Sequence, residues 1–563
     1  MFNWNVLLGM KVSFFVMSMT TGAQKMGAEN TALTTGQMLQ GWLLLLQVFV
    51  AGATSLALEL SASRLLAPYF GTSLFVWANL IGLILLYLTL GYFIGGRLAD
   101  RYPRADVFYA LIVGAAFLIS IIPLISRPIL RWSLSSFSTY SVSVFYGSLV
   151  AVILLFAVPM ILLGCVSPFA IRLRVRQVGR SGRTAGMLYA LSTAGSILGT
   201  FLPAFWLVPT YGTYGTFVIC GVTLFLVAAL GLILSQTEGF QAPKLGVNRR
   251  LFTVLLLIPM LLSLTGLQGP IKQPSGTNGG GKMLAERESV YNYIQVVRSG
   301  EETQLILNEG LGVHSIYNPN EVLTQGPWDY FSIAPYFNNP PFTESQVRKA
   351  CIVGLGAGTI PRELNAAYGS LPIDGVEIDG EIVNLARQYF HMNEPNLNVV
   401  IQDGRYFLQN TPQKYDLIGI DAYQQPYVPF QLTTHEFFHL VRSHLTPTGV
   451  AVANAGRTNK DFRLVEALAQ TMRSVFPNVY IIDSARFANS MVIGTNAPTR
   501  KANFAANVSH LTNPLLQTVA SNSINYGNIR EEQGSKVFFS DDRAPVEQLI
   551  DTIIFNEVET GKK

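Results

Sequence analysis

Two short stretches in the second half of the chain carry residue types that could bind a nucleoside. The first is an apolar run that enters a glycine turn, with Gly354, Gly356 and Gly358. The second, about twenty residues later, ends in the acid Glu377. Missing side chains let the backbone approach a ligand, and an acid at the next strand end can accept ribose hydroxyl protons. The pattern predicts a strand–turn–helix–strand unit, although a glycine turn can also be only a tight connection.

Two further apolar runs end in polar residues. One is followed by Gln402, Asp403 and Gly404, and the other ends at Asp421 with Tyr423 close behind. Ligands of parallel α/β sheets bind outside the carboxyl ends of the strands. Four such ends in register favour a nucleoside pocket over purely structural turns.

Strand-like and helix-like runs alternate around these positions, which predicts an α/β Rossmann-like domain with a parallel sheet covered by helices. The last two strand-like runs lie close together and predict a hairpin at the sheet edge. Before this domain, the runs 289–297, 304–307 and 313–317 indicate a small β subdomain. Predicted strands are 350–355, 373–378, 398–401, 415–420, 449–454, 478–482 and 490–495, with helices near 359–368, 380–391, 433–444 and 461–475.

The first half of the chain has the composition of a multi-pass α-helical membrane domain. Only 13% of all residues are charged, against about 25% in typical soluble domains. Pairs of small residues four apart, Gly91/Gly95 and Gly195/Gly199, predict close helix packing in lipid. About seven spans are expected, each long enough for a hydrocarbon core of roughly 30 Å: 41–62, 73–96, 106–125, 144–171, 184–206, 213–235 and 250–267.

These patterns divide the chain into five segments. We expect an N-terminal segment at 1–38 that is disordered or interfacial, a transmembrane domain at 39–268 and a linker at 269–284. The small β subdomain then occupies 285–340 and the Rossmann-like domain 341–563. Three cysteines and six histidines without metal-ligand spacing argue against a metal site, and the modest charge of +5 argues against nucleic acid.

Short loops rich in arginine predict the orientation of the membrane domain. Arg97, Arg101 and Arg104 occupy one loop, and Arg172 to Arg183 another, so we expect both loops and the amino terminus in the cytoplasm. A seventh span at 250–267 would then place the soluble half outside, whereas adenosyl cofactors are normally cytoplasmic. The side of the soluble half stays open. Glu59 within the first span is either a functional carboxylate or a partner of Arg64.

Beyond these patterns, the soluble half resembles the spermidine synthase (polyamine aminopropyltransferase) family, and the whole chain resembles its fused, multi-pass membrane members. The resemblance covers about residues 285–555. It is carried by the glycine turn, by the runs Ser289–Ile294 and Leu305–Gly310, and by the segment Ser540–Glu547.

The resemblance implies roles for these residues. Gly354, Gly356 and Gly358 would cradle decarboxylated S-adenosylmethionine (or S-adenosylmethionine), and Glu377 would hold its ribose. Asp421 would be the base that deprotonates an amine acceptor, because a protonated amine has no lone pair with which to attack. Asp403 and Gly404 would lie by the adenine.

Other residues bear on the acceptor side. Tyr423 either walls the acceptor site or packs around nearby prolines. Asp541 and Asp542 either supply negative charge there or form an exposed turn near a helix start. The family has an Asp at the position of Ala357 and a second Asp at that of Gln424, so this chain lacks two acids.

Several functions follow from these features. The first is a membrane-anchored aminopropyltransferase acting on a small-molecule amine. The second is an S-adenosylmethionine-dependent methyltransferase, and the third is a catalytically silent scaffold or subunit of a membrane assembly. The loop Gly95–Arg104 resembles one of the major-facilitator transporters, which adds transport as a fourth. Expected partners are the lipid bilayer and homo-oligomer or membrane-complex subunits.

Overall fold

The computed structural model describes residues 35–71, 74–137, 143–175, 181–235, 260, 270–274, 281–308, 312–423 and 428–560. Its first part is a bundle of helices: α1 Thr35–Phe70, α2 Leu74–Arg101, α3 Ala105–Phe137, α4 Ser143–Gly164, α5 Val166–Arg174, α6 Ser181–Leu202 and α7 Val208–Leu234, with a π-helical segment at Pro203–Leu207.

Five helical stretches in this part are long and apolar enough to cross a membrane, consistent with a multi-pass membrane protein. They are Met38–Phe70, Phe75–Arg101, Ala105–Leu134, Phe145–Arg174 and Ser181–Leu234. The predicted spans 184–206 and 213–235 both fall in the fifth stretch. The predicted span 250–267 lies outside the described residues, apart from Met260.

The fifth stretch folds back on itself at Gly212, whose φ of +73° is not helical. Helix α6 runs parallel to α1, because Gly195 lies against Phe49 and Gly199 against Ala53. Helix α7 runs the other way, since Leu234 accepts a hydrogen bond from Gln40 at the start of α1. The chain therefore traverses the bundle twice within this stretch.

The predicted close packing at small residues is confirmed. A Cβ on Gly195 or Gly199 would overlap the backbone of α1, and Gly91 and Gly95 lie against the backbone of Ile161 to Cys165. These helices approach more closely than larger side chains would permit.

The soluble part contains two sheets. The strands β1 Lys282–Glu288, β2 Tyr293–Ser299, β3 Glu302–Leu307 and β4 Val313–Tyr317 form an antiparallel sheet in the order 1-2-3-4. This sheet is the small β subdomain expected from the sequence.

An eight-stranded sheet follows, in the order 12-10-11-9-8-5-6-7. Its strands β9-β8-β5-β6-β7 are parallel, and the predicted hairpin of β10 and β11 is confirmed, although β12 lies outside it at the edge. The strands are β5 Ala350–Val353, β6 Ile373–Glu377, β7 Leu397–Ile401, β8 Tyr415–Ile420, β9 Leu445–Gly456, β10 Asn478–Asp483, β11 Asn489–Thr495 and β12 Ile529–Glu531.

Helices cover both faces of this sheet, so its strands are buried on both sides, as in other parallel α/β folds. Ile352 packs into one apolar cluster, and its neighbours Cys351 and Val353 pack into the other. The helices are α8 Thr359–Tyr368, α9 Gly380–Tyr389, α10 Gly404–Asn410, α11 His435–Ser443, α12 Arg463–Arg473, α13 Ala502–Val508, α14 Pro514–Asn525 and α15 Val546–Thr560. The predicted Rossmann-like fold is confirmed. Helix α10, helices α13 and α14 and strand β12 were not predicted.

Candidate functional site

Four strand ends meet at one edge of the eight-stranded sheet. Backbone hydrogen bonds between neighbouring strands continue past the ends of β5 and β6. Gly354 N donates to Val376 O at 2.9 Å, and Asp421 N donates to Val353 O at 2.8 Å. At the next strand, Gln402 N donates to Glu377 O at 2.9 Å. These bonds align the polar residues that follow the strands.

A cavity of about 690 Å³ lies over this edge. Seven of the ten residues that we assigned to a binding or catalytic role line it: Gly354, Gly356, Glu377, Asp403, Gly404, Asp421 and Tyr423. Its opposite wall comes from the small β subdomain, through Asn292, Leu305, Leu307, Asn308 and His314 among others, and from the membrane helices.

The three glycines of the loop all have a positive φ, and two of them line the cavity. Gly354 and Gly356 have φ values of +86° and +56°, and a Cβ on Gly354 would overlap the backbone carbonyl of Asp421. A Cβ on Gly358 would meet the side chain of Met392, and Gly358 is not among the described residues that line the cavity. All three glycines therefore permit close packing of the loop, and Gly354 and Gly356 present their backbone to the cavity.

Glu377 is buried at the edge of the cavity, and its carboxylate shapes the glycine loop. Oε2 accepts from Gly356 N at 2.9 Å, and Oε1 accepts from Asp379 N at 3.1 Å. Burial raises the pKa of Glu377 to about 7, against the lowering effect of these backbone donors. Each carboxylate oxygen has a second lone pair, so both can still accept a hydroxyl proton.

Asp403 and Gly404 begin helix α10 at the cavity wall. Asp403 caps the helix by accepting from Tyr406 N at 2.9 Å. A Cβ on Gly404 would overlap Val353, so glycine is needed for α10 to lie this close to β5. The capping bond explains why an Asp–Gly pair stands here even without a ligand.

Asp421 is a partly buried acid directly after the end of β8. Its Oδ2 accepts from Trp328 Nε1 at 3.0 Å and its Oδ1 from Asn454 Nδ2 at 2.8 Å. Burial raises the pKa of Asp421 to about 7, while these two donors lower it and the nearby Glu377 raises it. The group can therefore exchange a proton near neutral pH, as a general base requires. Sequence reasoning missed Trp328 and Asn454, since no spacing relates them to Asp421.

The acceptor-side acids differ from those predicted. Asp541 is committed to Arg405, at 2.6 and 2.8 Å, and this ion pair holds the pKa of Asp541 below its usual range. Asp542 is exposed, and neither aspartate is among the described residues that line the cavity. Glu547, six residues after Asp541 and at the start of α15, lines the cavity instead. Helix α15 turns it inward, and burial raises its pKa.

Ala357 and Gln424 occupy the two positions at which the family has an aspartate. Ala357 is buried in an apolar cluster with Leu355 and Met392, and its N–H donates to Ser315 Oγ at 2.9 Å. It is not among the described residues that line the cavity. Gln424 lies outside the described residues.

The apolar helices of the bundle close the cavity from the other side. The lining includes Leu60 and Ala67 of α1, Val76 and Leu80 of α2, and Val208 of α7. The soluble domain is therefore docked on one end of the helical bundle, with its nucleoside-type pocket facing that end.

Three contacts hold the joint between the helical bundle and the soluble part of the chain. Glu288 of β1 accepts from Thr213 N at 2.7 Å and from the Thr213 hydroxyl, directly after the bend at Gly212. Arg64 of α1 donates to Val290 O, and Tyr69 donates to Ile271 O at 2.7 Å. None of the ion pairs among the described residues joins Arg64 to Glu59.

The fold and the site define a class of protein. An α/β Rossmann-like domain of the methyltransferase type carries a glycine loop, the buried acid Glu377 and the carboxylate of Asp421 at the carboxyl edge of its sheet. Among the residues that the structure describes, no group of three or more His, Cys, Asp or Glu side chains could hold a metal ion.

Comparison with known proteins identifies the domain more closely. Residues 337–493 match the model of the spermine/spermidine synthase domain, so the chain carries a spermidine-synthase-type domain behind its apolar helices. A probable polyamine aminopropyl transferase of Bifidobacterium longum (strain NCC 2705) is 33% identical over 48% of this chain and 64% of its own length. A polyamine aminopropyltransferase of Vibrio vulnificus (strain CMCP6) is 32% identical over 29% of this chain and 53% of its own.

A solved structure is also similar. The crystal structure of a probable spermidine synthase from Corynebacterium glutamicum ATCC 13032 is 22% identical, with a TM-score of 0.33 over 45% of this chain and 98% of that one. The chain spans 64% and 53% of the lengths of the two relatives named above.

Proposed function

We propose that the soluble domain transfers an aminopropyl group from decarboxylated S-adenosylmethionine to an amine. The observation that carries this proposal is one cavity that holds the glycine loop, Glu377 and the base Asp421 together. The residues present fit the nucleoside, because the backbone of Gly354 and Gly356 lines the cavity beside the carboxylate of Glu377.

Asp421 supports the transfer through its proton affinity. The acceptor nitrogen needs a free lone pair, so its proton passes to the carboxylate of Asp421. The nitrogen then forms a bond to the propyl carbon while the carbon–sulfur bond breaks, and the electron pair leaves with the sulfur as a neutral thioether. Trp328 and Asn454 hold the carboxylate in one orientation, which aligns base and acceptor.

Calorimetry on the purified, full-length protein tests the proposal. We expect decarboxylated S-adenosylmethionine to bind more tightly than S-adenosylmethionine, and Asp421→Asn to abolish transfer while nucleoside binding persists. Tighter binding of S-adenosylmethionine would favour the methyltransferase alternative. Binding of neither nucleoside would exclude both activities.

A second candidate is a catalytically silent scaffold in a membrane assembly. The loop arginines Arg97, Arg101 and Arg104 lie at the end of the bundle opposite the docked domain, because α2 runs from that domain towards them. If those loops are cytoplasmic, the domain lies away from the compartment in which adenosyl donors are made. The neutral residue Ala357 at a family acid position also supports this candidate. It predicts no nucleoside binding in the same calorimetric experiment.

A further inference from the structure

The cavity over Asp421 has two walls of opposite character. On the sheet side are Glu377, Asp403 and Asp421, with Glu547 nearby. On the side of the helical bundle the lining is mostly apolar, with Ser63 and Arg64 as polar members, and four of the apolar side chains are almost fully buried: Ala67, Val76, Leu80 and Val208. A ligand that fills the whole cavity must therefore be polar at one end and apolar at the other.

The apolar wall reaches into the membrane end of the bundle. Leu60 and Phe70 of α1 are ten residues apart, which corresponds to about 15 Å along a helix axis. Leu60 lines the cavity, so its wall extends about that far from the end of α1. A wall of this length reaches from the membrane–water interface, at the end of α1, towards the hydrocarbon region.

A single helical layer separates this wall from the outer surface of the bundle. The π-helical segment Pro203–Leu207 places Pro203 and Ala204 on the cavity. Its Phe205 and Trp206 are 68% and 54% exposed and face outward. Short π-helical segments are frequent at functional sites, and here one forms the boundary between the cavity and the outer surface of the bundle.

This arrangement is unfavourable for a short polyamine. A polyamine carries an ammonium group every few carbons, and placing one against Leu60, Leu80 and Val208 would remove much of its hydration. A hydrocarbon chain has no such hydration to lose and is compatible with these apolar side chains.

We propose that the acceptor is a primary amine on a hydrocarbon chain that lies in the bilayer, with its nitrogen at Asp421 and its chain along the ends of α1, α2 and α7. This inference rests on the proposed aminopropyl transfer and names its acceptor. The chemistry at nitrogen is unchanged: the proton goes to Asp421, and the chain only anchors the amine.

The experiment uses full-length protein in lipid nanodiscs. Transfer from decarboxylated S-adenosylmethionine is measured with hexadecylamine dissolved in the nanodisc and with soluble 1,4-diaminobutane. Binding of 5′-methylthioadenosine, the nucleoside left after transfer, is measured separately by calorimetry. We expect kcat/KM to be higher for hexadecylamine by about tenfold or more.

Two variants test the cavity wall. Ala204→Phe narrows the apolar part of the cavity and is expected to raise KM for hexadecylamine about tenfold without changing 5′-methylthioadenosine affinity. Ala190→Phe adds the same side chain at an exposed position of α6 and is expected to behave as wild type.

The outcomes are distinct. A preference for 1,4-diaminobutane, or equal effects of Ala204→Phe and Ala190→Phe, would overturn this inference while the proposed transfer stands. Transfer to neither amine, or failure to bind 5′-methylthioadenosine, would overturn the proposed function, and this inference with it.

Discussion

At the scale of single residues, Asp421 owes its character to burial and to two donors that are remote in sequence. Trp328 and Asn454 each occupy one carboxylate oxygen. Burial favours the neutral acid, and the donors favour the carboxylate. The balance raises the pKa to about 7.

The first prediction concerns the pH dependence of transfer. Asp421 acts as a base only when deprotonated, so we expect kcat/KM to rise with pH through about 7 and then to level off. Trp328→Phe removes a donor that lowers this pKa, so the midpoint should move to higher pH. Kinetics from pH 5 to pH 9 measure both effects, and an unchanged midpoint in the variant would show that Trp328 does not hold the carboxylate.

The second prediction concerns stability. The folded-state pKa values of Asp421 and Glu377 are both raised to about 7, so the stability linked to their protons is fully present at low pH and is lost as pH rises through about 7. Asp421→Asn removes one of these groups. Its melting temperature relative to wild type should therefore increase between pH 5 and pH 8. The exposed Asp542→Asn serves as the control and should keep the wild-type slope.

At the scale of elements, the glycine loop and the joint to the bundle decide whether the site exists. Gly354 has a positive φ and lies so close to Asp421 that a Cβ would overlap the Asp421 carbonyl. Gly369, at the end of α8, also has a positive φ, but a Cβ there would meet nothing within 4 Å.

This pair of glycines separates backbone strain from steric overlap. We expect Gly369→Ala to cost about 1–3 kcal/mol of folding free energy and to leave nucleoside affinity intact. Gly354→Ala should cost more, because the new Cβ also displaces the carbonyl of Asp421, and should weaken nucleoside binding by about tenfold or more. Thermal unfolding and calorimetry measure the two effects. Equal losses of affinity in both variants would argue against a ligand at Gly354.

The joint between β1 and the bend at Gly212 gives the fourth prediction. Glu288 accepts two hydrogen bonds from Thr213, and an alanine at this position would remove both acceptors. We expect Glu288→Ala to destabilise the joint by about 1–3 kcal/mol and to speed hydrogen exchange at Thr213. Glu301→Ala, in an exposed turn, is the matched control. Unchanged exchange at Thr213 would mean that other contacts hold the domain.

At the scale of the whole molecule, the directions of the helices place the soluble domain and the arginine-rich loops at opposite ends of the bundle. Leu234 lies near the start of α1, and Ile271 near its end, beside Tyr69. With the loops in the cytoplasm, the domain is expected on the outer side of the membrane.

Cysteine labelling tests this topology. Tyr102→Cys lies in the first arginine-rich loop and Ser509→Cys on the exposed surface of the soluble domain. We expect a membrane-impermeant maleimide, added to intact spheroplasts, to label only Ser509→Cys. Labelling of Tyr102→Cys alone would invert the orientation. Labelling of both from one side would contradict the described helix directions.

The sequence alone determined the elements whose signals are local. Apolar runs of membrane length, glycine pairs four apart and alternating strands and helices follow from short-range periodicity. The glycine contacts and the alternation are confirmed, and six of the seven predicted spans lie in apolar helices, while the span 250–267 lies outside the described residues apart from Met260. The residues at the strand ends were also predictable, because parallel strands bring their carboxyl ends to one edge.

Only the tertiary structure decided what surrounds those residues. Trp328 and Asn454 reach Asp421 from 93 and 33 residues away, and no periodicity relates them. Glu547 lines the cavity in place of Asp541 and Asp542, because Arg405 binds Asp541. The apolar helices of the bundle form the far wall of the pocket. Sequence spacing could not predict this, because contacts between distant segments depend on how the elements dock.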